Sequence, residues 1–259
     1  MSVRKKKYDT CHICGNYGPL SFEHNHPKKA GNNKRFVAEA LKKPILLKLK
    51  DIDPEKRLLL QGKIDADTLC DGTILQGGIG AHTLCEPCNT KAGSWYVPKF
   101  YDWYNQARDV LNKFKGSLQI VHTYNIYPLA ILKQIIIMFF STNCDTFNYD
   151  TFRKENQELA SFVRNRDKKG LSPKYRIFVY YNVEVNHCFY LHSQLDHANI
   201  ALLAERAFPP FGYLMTINLE PPDTRYLEIT HFSKYGYDEC TDITLNLSVL
   251  PPYINILRN

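Results

Sequence analysis

Two pairs of cysteines, Cys11-His12-Ile13-Cys14 and Cys85-Glu86-Pro87-Cys88, share one spacing. Two thiolates separated by two residues can aim their sulfurs at one point. Two such turns supply the tetrahedral four-sulfur shell that zinc prefers, at about 2.3 Å per bond. A four-thiolate shell is closed, so such an ion would be structural: it staples a small, loop-rich segment whose own core is poor. The long gap from Cys14 to Cys85 requires the intervening chain to loop out. A different chemistry stands beside each pair. Glu23-His24 follows the first pair in Ser21-Phe22-Glu23-His24-Asn25-His26-Pro27-Lys28, and Asn89 directly follows the second. On a strand, neighbouring side chains project to opposite sides, so a carboxylate could hold a metal while the adjacent imidazole faces a water. Glu23 and Asn89 offer hard oxygen donors suited to Mg²⁺ or Mn²⁺.

The elements that must position these groups follow from punctuation and periodicity. Residues 34–43 predict a short helix that Pro44 ends. Glycines crowd at Gly72, Gly77, Gly78 and Gly80, just before the second pair. From Pro98, apolar residues at Phe100, Tyr104, Ala107, Leu111 and Phe114 trace one face of a helix that Gly116 stops. Residues 128–141 predict a helix apolar almost all round and deeply buried. Residues 150–169 predict an amphipathic helix capped by Asp150 and closed by Gly170. Short β-type runs follow at 176–183, 187–192, 213–219, 226–232 and 243–249. The expectation is an α+β protein in two parts. Residues 1–116 form a zinc-stapled N-terminal domain with a lysine-rich insert at about 30–80. Residues 117–259 form an antiparallel sheet packed with two helices.

Charge follows the same division. Residues 1–115 hold 20 Lys and Arg against 12 Asp and Glu, and the remainder holds 13 against 14, so the positive excess accompanies the cysteine pairs. A basic half beside a neutral one suits a polyanionic partner. Lys28, Lys29, Lys34 and Arg35 directly follow Glu23-His24 and are the candidate phosphate contacts; in isolation such a run is only a solvated face. Hydrophobic residues at 44% and charged residues at 23% describe an ordinary globular composition. The basic start, Arg4 to Lys7, is followed by no apolar run, and the longest apolar stretch, residues 135–140, is too short to span a bilayer. The expected location is cytoplasmic, with no membrane, and there eight cysteines are not a disulfide set. Cys70, Cys144, Cys188 and Cys240 are expected to be free thiols. His12 is expected to face solvent, Trp95 and Tyr96 to pack in the core, and His187, His192, His197 and His231 receive no role.

Glu23-His24 with Pro27-Lys28, and downstream Thr83-Leu84-Cys85-Glu86-Pro87-Cys88-Asn89-Thr90-Lys91-Ala92-Gly93, resemble the HNH endonuclease superfamily. The likeness is to the branch in which a Glu-His pair and an L-C-x-x-C-N-x-x-x-G segment flank a variable insert. It covers two short blocks within roughly residues 8 to 105. The resemblance implies a ββα-metal, treble-clef-like core with zinc knuckles at the cysteines. It implies Glu23 and Asn89 as ligands of one catalytic Mg²⁺ or Mn²⁺ and His24 as general base. The activity implied is hydrolysis of phosphodiester bonds in DNA, with RNA left open as the polymer. A role in bacterial defence or a mobile element, with a protein partner on the C-terminal domain, follows by analogy. Two departures stand out. Asn25-His26 occupy positions where the family often has apolar residues or proline, leaving His26 as either an added ligand or a surface side chain. The middle position of the family's triad has no evident occupant; His82 is the nearest polar side chain, able to orient His24 or bind metal. The rival readings are a non-catalytic zinc module that binds nucleic acid, and an interaction protein whose zinc segment holds a partner.

Overall fold

The computed structural model describes residues 7–24, 26–30, 36–38, 73–75, 80–111, 113, 118–142, 148–183, 187–194 and 200–251. Strand β1 (Lys7–Thr10) pairs antiparallel with β2 (Tyr17–His24). Next in chain order are a short ribbon, β3 (Phe36–Ala38) with β4 (Thr73–Leu75), and β5 (Gly80–Cys85), which pairs antiparallel with β2. The sheet order is therefore β1-β2-β5. Helix α1 (Glu86–Trp95) begins the moment β5 ends. Cys85 is its extended N-cap residue, Glu86 places a carboxylate at the positive end of the helix, and Pro87 tolerates the unbonded first turn. Helix α2 (Val97–Leu111) follows after Tyr96, where the preceding helix is broken one residue ahead of the Val97-Pro98 step.

The rest of the described chain is α+β with antiparallel sheets. It comprises β6 (Leu118–Ile126), helix α3 (Pro128–Phe140), helices α4 (Tyr149–Glu155) and α5 (Gln157–Arg164), β7 (Tyr175–Tyr181), β8 (His187–Gln194), β9 (Ile200–Phe208), β10 (Phe211–Ile217), β11 (Leu227–Glu228) and β12 (Thr241–Ser248). Five strands form one sheet in the order β11-β7-β10-β9-β8, and β12 pairs with β6 as a separate ribbon. No helix among the described residues is long and apolar enough to cross a membrane.

Several expectations are corrected. Within the predicted helix at 34–43, Phe36–Ala38 is a strand, because its aromatic and β-branched residues meet Thr73-Ile74-Leu75 across an antiparallel pair; the rest of that segment lies outside the described residues. The predicted helix at 150–169 is two helices. Asn148, not Asp150, is the cap, its side chain accepting from the Thr151 N–H at 2.9 Å. Buried Asn156 breaks the run: its amide donates to the Phe152 carbonyl at 2.9 Å and its oxygen accepts from Tyr175 at 3.2 Å. The run at 226–232 ends in a 3₁₀ turn (Thr230–Lys234), leaving only a two-residue strand. The 243–249 run is in strand, but beside β6 and not in the main sheet. Two helices were expected against the C-terminal sheet, and three are present after residue 117.

The predicted faces of α2 and α3 are present. Phe100, Tyr104, Ala107 and Leu111 are buried, joined by Trp103, which stacks on Phe211 of β10 at 4.7 Å. All thirteen residues of α3 are buried, including Lys133, whose ammonium donates to the carbonyls of Asn165 and Arg166 at 2.6 and 2.9 Å just past α5. Those carbonyls close the end of α5, so the cation sits at a helix C-terminus, where it is favoured. One hydrophobic cluster runs from Cys11 and Leu84 through Tyr96 and Trp103 to α3 and the five-stranded sheet. The carbonyl end of α3 docks onto the cysteine-bearing segment. His12 Nδ1 donates to the Phe140 carbonyl at 2.8 Å, and Thr83 Oγ1 to that of Ser141 at 3.2 Å.

Candidate active site and metal centre

The sulfurs of Cys11, Cys14, Cys85 and Cys88 all lie within 4.8 Å of one another, and those of Cys14 and Cys85 are 3.6 Å apart. A tetrahedron with zinc–sulfur bonds of about 2.3 Å has edges of about 3.8 Å, so the quartet could hold a zinc ion. Among the described residues this is the one group of three or more His, Cys, Asp or Glu close enough to share an ion. Local backbone explains the convergence. The first pair sits in a tight turn in which the Gly15 N–H bonds the Cys11 carbonyl at 2.9 Å and the Cys11 N–H bonds Asn16 at 3.0 Å. Gly15 has φ +77, a left-handed conformation that favours glycine. The second pair spans the β5–α1 junction. A hydrogen bond from Cys88 holds the Cys11 thiol down at about 4, while burial pushes Cys85 up to about 11 and the bond to Cys11 raises Cys88 strongly. Sulfurs this close cannot all be anionic unless a cation lies among them.

His12, expected in solvent, instead stacks on Tyr149 at 4.1 Å, and its burial lowers its pKa. Trp95 packs partly buried against the core and Tyr96 is fully buried, its hydroxyl donating to the Val163 carbonyl at 2.9 Å.

Cys88 and Asn89 are consecutive in the first turn of α1, so they point about 100° apart. One turns to the sulfurs and the other to β2. The Asn89 amide donates to Ser21 Oγ at 2.9 Å and to the Phe22 carbonyl at 3.4 Å, while Ser21 Oγ donates to the Leu84 carbonyl at 2.9 Å. Ser21 and Glu23 share one side of β2 by alternation, so Asn89 is anchored on the side that carries Glu23. Glu23, His24 and Asn89 line one cleft of about 520 Å³ with Phe22, Lys28, Tyr101 and Asp102. Burial alone raises the Glu23 carboxyl to about 7, and no Lys or Arg among the described residues pairs with it. A carboxylate desolvated in this way, in a cleft that Asn89 also lines, is of the donor type that a divalent cation takes. Sequence reasoning missed Tyr101 and Asp102; their place on α2 away from its buried face puts them in the lining of this cleft.

The remaining candidates are placed as follows. Lys28 lines the cleft, exposed. The Lys29 side chain and all of Lys34 and Arg35 lie outside the described residues, as do Asn25, Cys70, Cys144 and His197. Cys240 is a free, exposed thiol. His82 pairs with Phe22 across the strands, its ring near-perpendicular to the Phe22 ring at 5.4 Å, and it does not line the cleft. His26 is not a surface side chain. It does not line the cleft: it is 1% exposed, stacked on Phe208 at 4.1 Å and near-perpendicular to Tyr104 and Phe100. It fastens the chain just beyond β2 to the main sheet.

No protein-family model, no curated protein and no solved structure matches the chain.

Proposed function

We propose that this chain is a metal-dependent nuclease of the HNH type that hydrolyses phosphodiester bonds in DNA, with a structural zinc on Cys11, Cys14, Cys85 and Cys88. One observation carries the reading. Asn89, far along the chain from Glu23-His24, is delivered to the same side of β2 and the same cleft by a helix whose first turn belongs to the sulfur cluster.

Glu23 and Asn89 would hold the catalytic Mg²⁺ or Mn²⁺, which when bound neutralises charge developing on the phosphorane and on the leaving 3′ oxygen. His24, next to Glu23 on the strand and projecting to its other side, takes the proton from the attacking water. Its imidazole meets the Phe22 ring edge-on at 5.1 Å, which fixes the ring's orientation at the cleft wall. Asn89 is held by Ser21, and Ser21 by the backbone of β5, so the ligand pair is set before substrate arrives. Lys28 at the rim offers a cation to a flanking phosphate. The basic excess of residues 1–115 draws the polyanion to this part of the chain. A defensive role and a protein partner on the C-terminal part remain proposals by analogy.

The test is cleavage of supercoiled plasmid and labelled oligonucleotides with Mg²⁺ and with Mn²⁺, comparing wild type with His24→Ala, Glu23→Gln and Asn89→Ala. Loss of a general base or metal ligand is expected to slow cleavage by about 100-fold or more. Equal cleavage by wild type and His24→Ala, or none by either across the metals, would return the chain to a non-catalytic zinc module.

A further inference from the structure

We infer that the cleft beside Glu23 and His24 receives an unpaired nucleotide, whose base stacks on Phe22, making single-stranded nucleic acid the preferred substrate. The inference rests on the nuclease reading for which phosphate lies at Glu23, but the stacking site stands on its own geometry.

Phe22 is 44% exposed, in a molecule that buries Phe100, Phe139, Phe140, Phe162 and Phe178 almost completely. A phenyl ring left in water forgoes the stabilisation of burial, so a held, open ring at a site is informative where a floppy one is not. This ring is held. His24 and His82 meet it edge-on at 5.1 and 5.4 Å. Gly80, opposite His24 in the strand pair, leaves the room that the ring needs: a Cβ there would come within 2.6 Å of Phe22 Cζ and would also strike the Glu23 carbonyl. Two near-perpendicular imidazoles and a glycine gap thus hold the Phe22 ring beside the cleft, with much of its surface open.

The cleft has the size and chemistry for one base. Its roughly 520 Å³ lies in the range of small-ligand sites, which suits a single nucleotide. Tyr101 adds a second aromatic, and the Asp102 carboxylate offers an acceptor for the amino edge of a base, an edge occupied in a Watson–Crick pair and free in a single strand. Lys28 at the rim supplies the backbone contact. Stacking on an aromatic face is sequence-tolerant because every base has such a face, so discrimination falls to Asp102, favouring bases that carry an exocyclic amine.

The experiment is equilibrium binding of an oligonucleotide with a central 2-aminopurine, as a single strand and as a blunt duplex, to the zinc-loaded full chain without added magnesium. Wild type should bind the single strand at least tenfold tighter than the duplex and quench its fluorescence. Phe22→Ala and Phe22→Leu should weaken single-strand binding by about 5- to 100-fold, and Phe22→Tyr should restore it. The Leu variant keeps an apolar contact for the two histidines, and melting curves of each variant separate lost stacking from lost folding. Equal affinity for strand and duplex, no quenching, or Phe22→Leu binding like wild type would overturn the inference. Strong single-strand binding by a wild type that cleaves nothing would sink the nuclease reading and leave the base site standing. Cleavage with no strand preference would do the opposite.

Discussion

The sulfur quartet and the cleft lie on either side of the same helix start and are built on opposite plans. The quartet is held by its own chemistry: a tight turn and a strand–helix junction bring four sulfurs within 4.8 Å, and a bound zinc would lock both ends of a long insert together. The cleft is held by its surroundings. Glu23 is placed by strand pairing, Asn89 by a hydrogen bond to Ser21, Phe22 by two histidine edges. A site that makes its own cross-link tolerates a poor core around it, whereas a site assembled from side chains needs a rigid scaffold behind it. In this chain the first supplies the scaffold for the second.

The largest expected effect tests that dependence. Removing the metal with a chelator, or replacing Cys88 by Ser, should lower the melting temperature by roughly 10 °C or more, since metal binding to a structural quartet is folding free energy. His24→Ala, in the dependent site, should leave melting within a few degrees. Melting curves with and without chelator, with zinc content by atomic emission, check both. A chain that melts identically after chelation and carries no zinc would dissolve the proposed hierarchy.

A smaller effect concerns the far end of β2. Burial, and secondarily Arg206, holds the His26 pKa well below its ordinary value. The unfolded chain takes up a proton there below about pH 6.5 and the folded chain does not, so this contribution to stability is present above that pH and fades as pH falls. The expected slope approaches about 1.4 kcal/mol per pH unit below 6.5. Denaturation at pH 7.5 and 5.5 measures it. A His26→Phe variant, which keeps an aromatic stack on Phe208, should show a flatter dependence, and an unchanged slope would point to other groups.

The smallest effect separates placement from chemistry. Ser21→Ala removes the acceptor that holds the Asn89 amide and should cost about 0.5–1.5 kcal/mol in denaturant titration. Cleavage should fall further than this loss of stability accounts for, because a misplaced ligand is felt in the transition state. Cleavage that tracks stability alone would make Ser21 an ordinary structural residue.

Regularity in the sequence carried the elements that were anticipated. The buried face of α2 from Phe100 to Leu111 repeats at helical spacing and α3 is apolar almost all round, so pattern alone places them. Strand β9 escaped because Ile200–Phe208 contains helix-favouring Leu, Ala and Glu; its pairing with both β10 and β8 makes it a strand. Asn156 could be expected to break a helix only once Tyr175, from another element, was known to bond its oxygen. His26 stood out as a departure from the family's pattern beside Glu23-His24; its neighbours in space are Phe208, Phe100 and Tyr104.

By itself the sequence determined that four cysteines at matched spacing belong together and that a Glu-His pair and an Asn flank them, because ligand chemistry is a property of residue type and short-range geometry. Only the tertiary structure decided which faces meet. It turned Asn89 onto Ser21, set Phe22 open between two imidazoles, and brought Tyr101 and Asp102 from α2 to the cleft. Those choices follow from how helix and strand surfaces pack across long stretches of chain, and residues far apart in sequence carry no local mark of the partners that packing gives them.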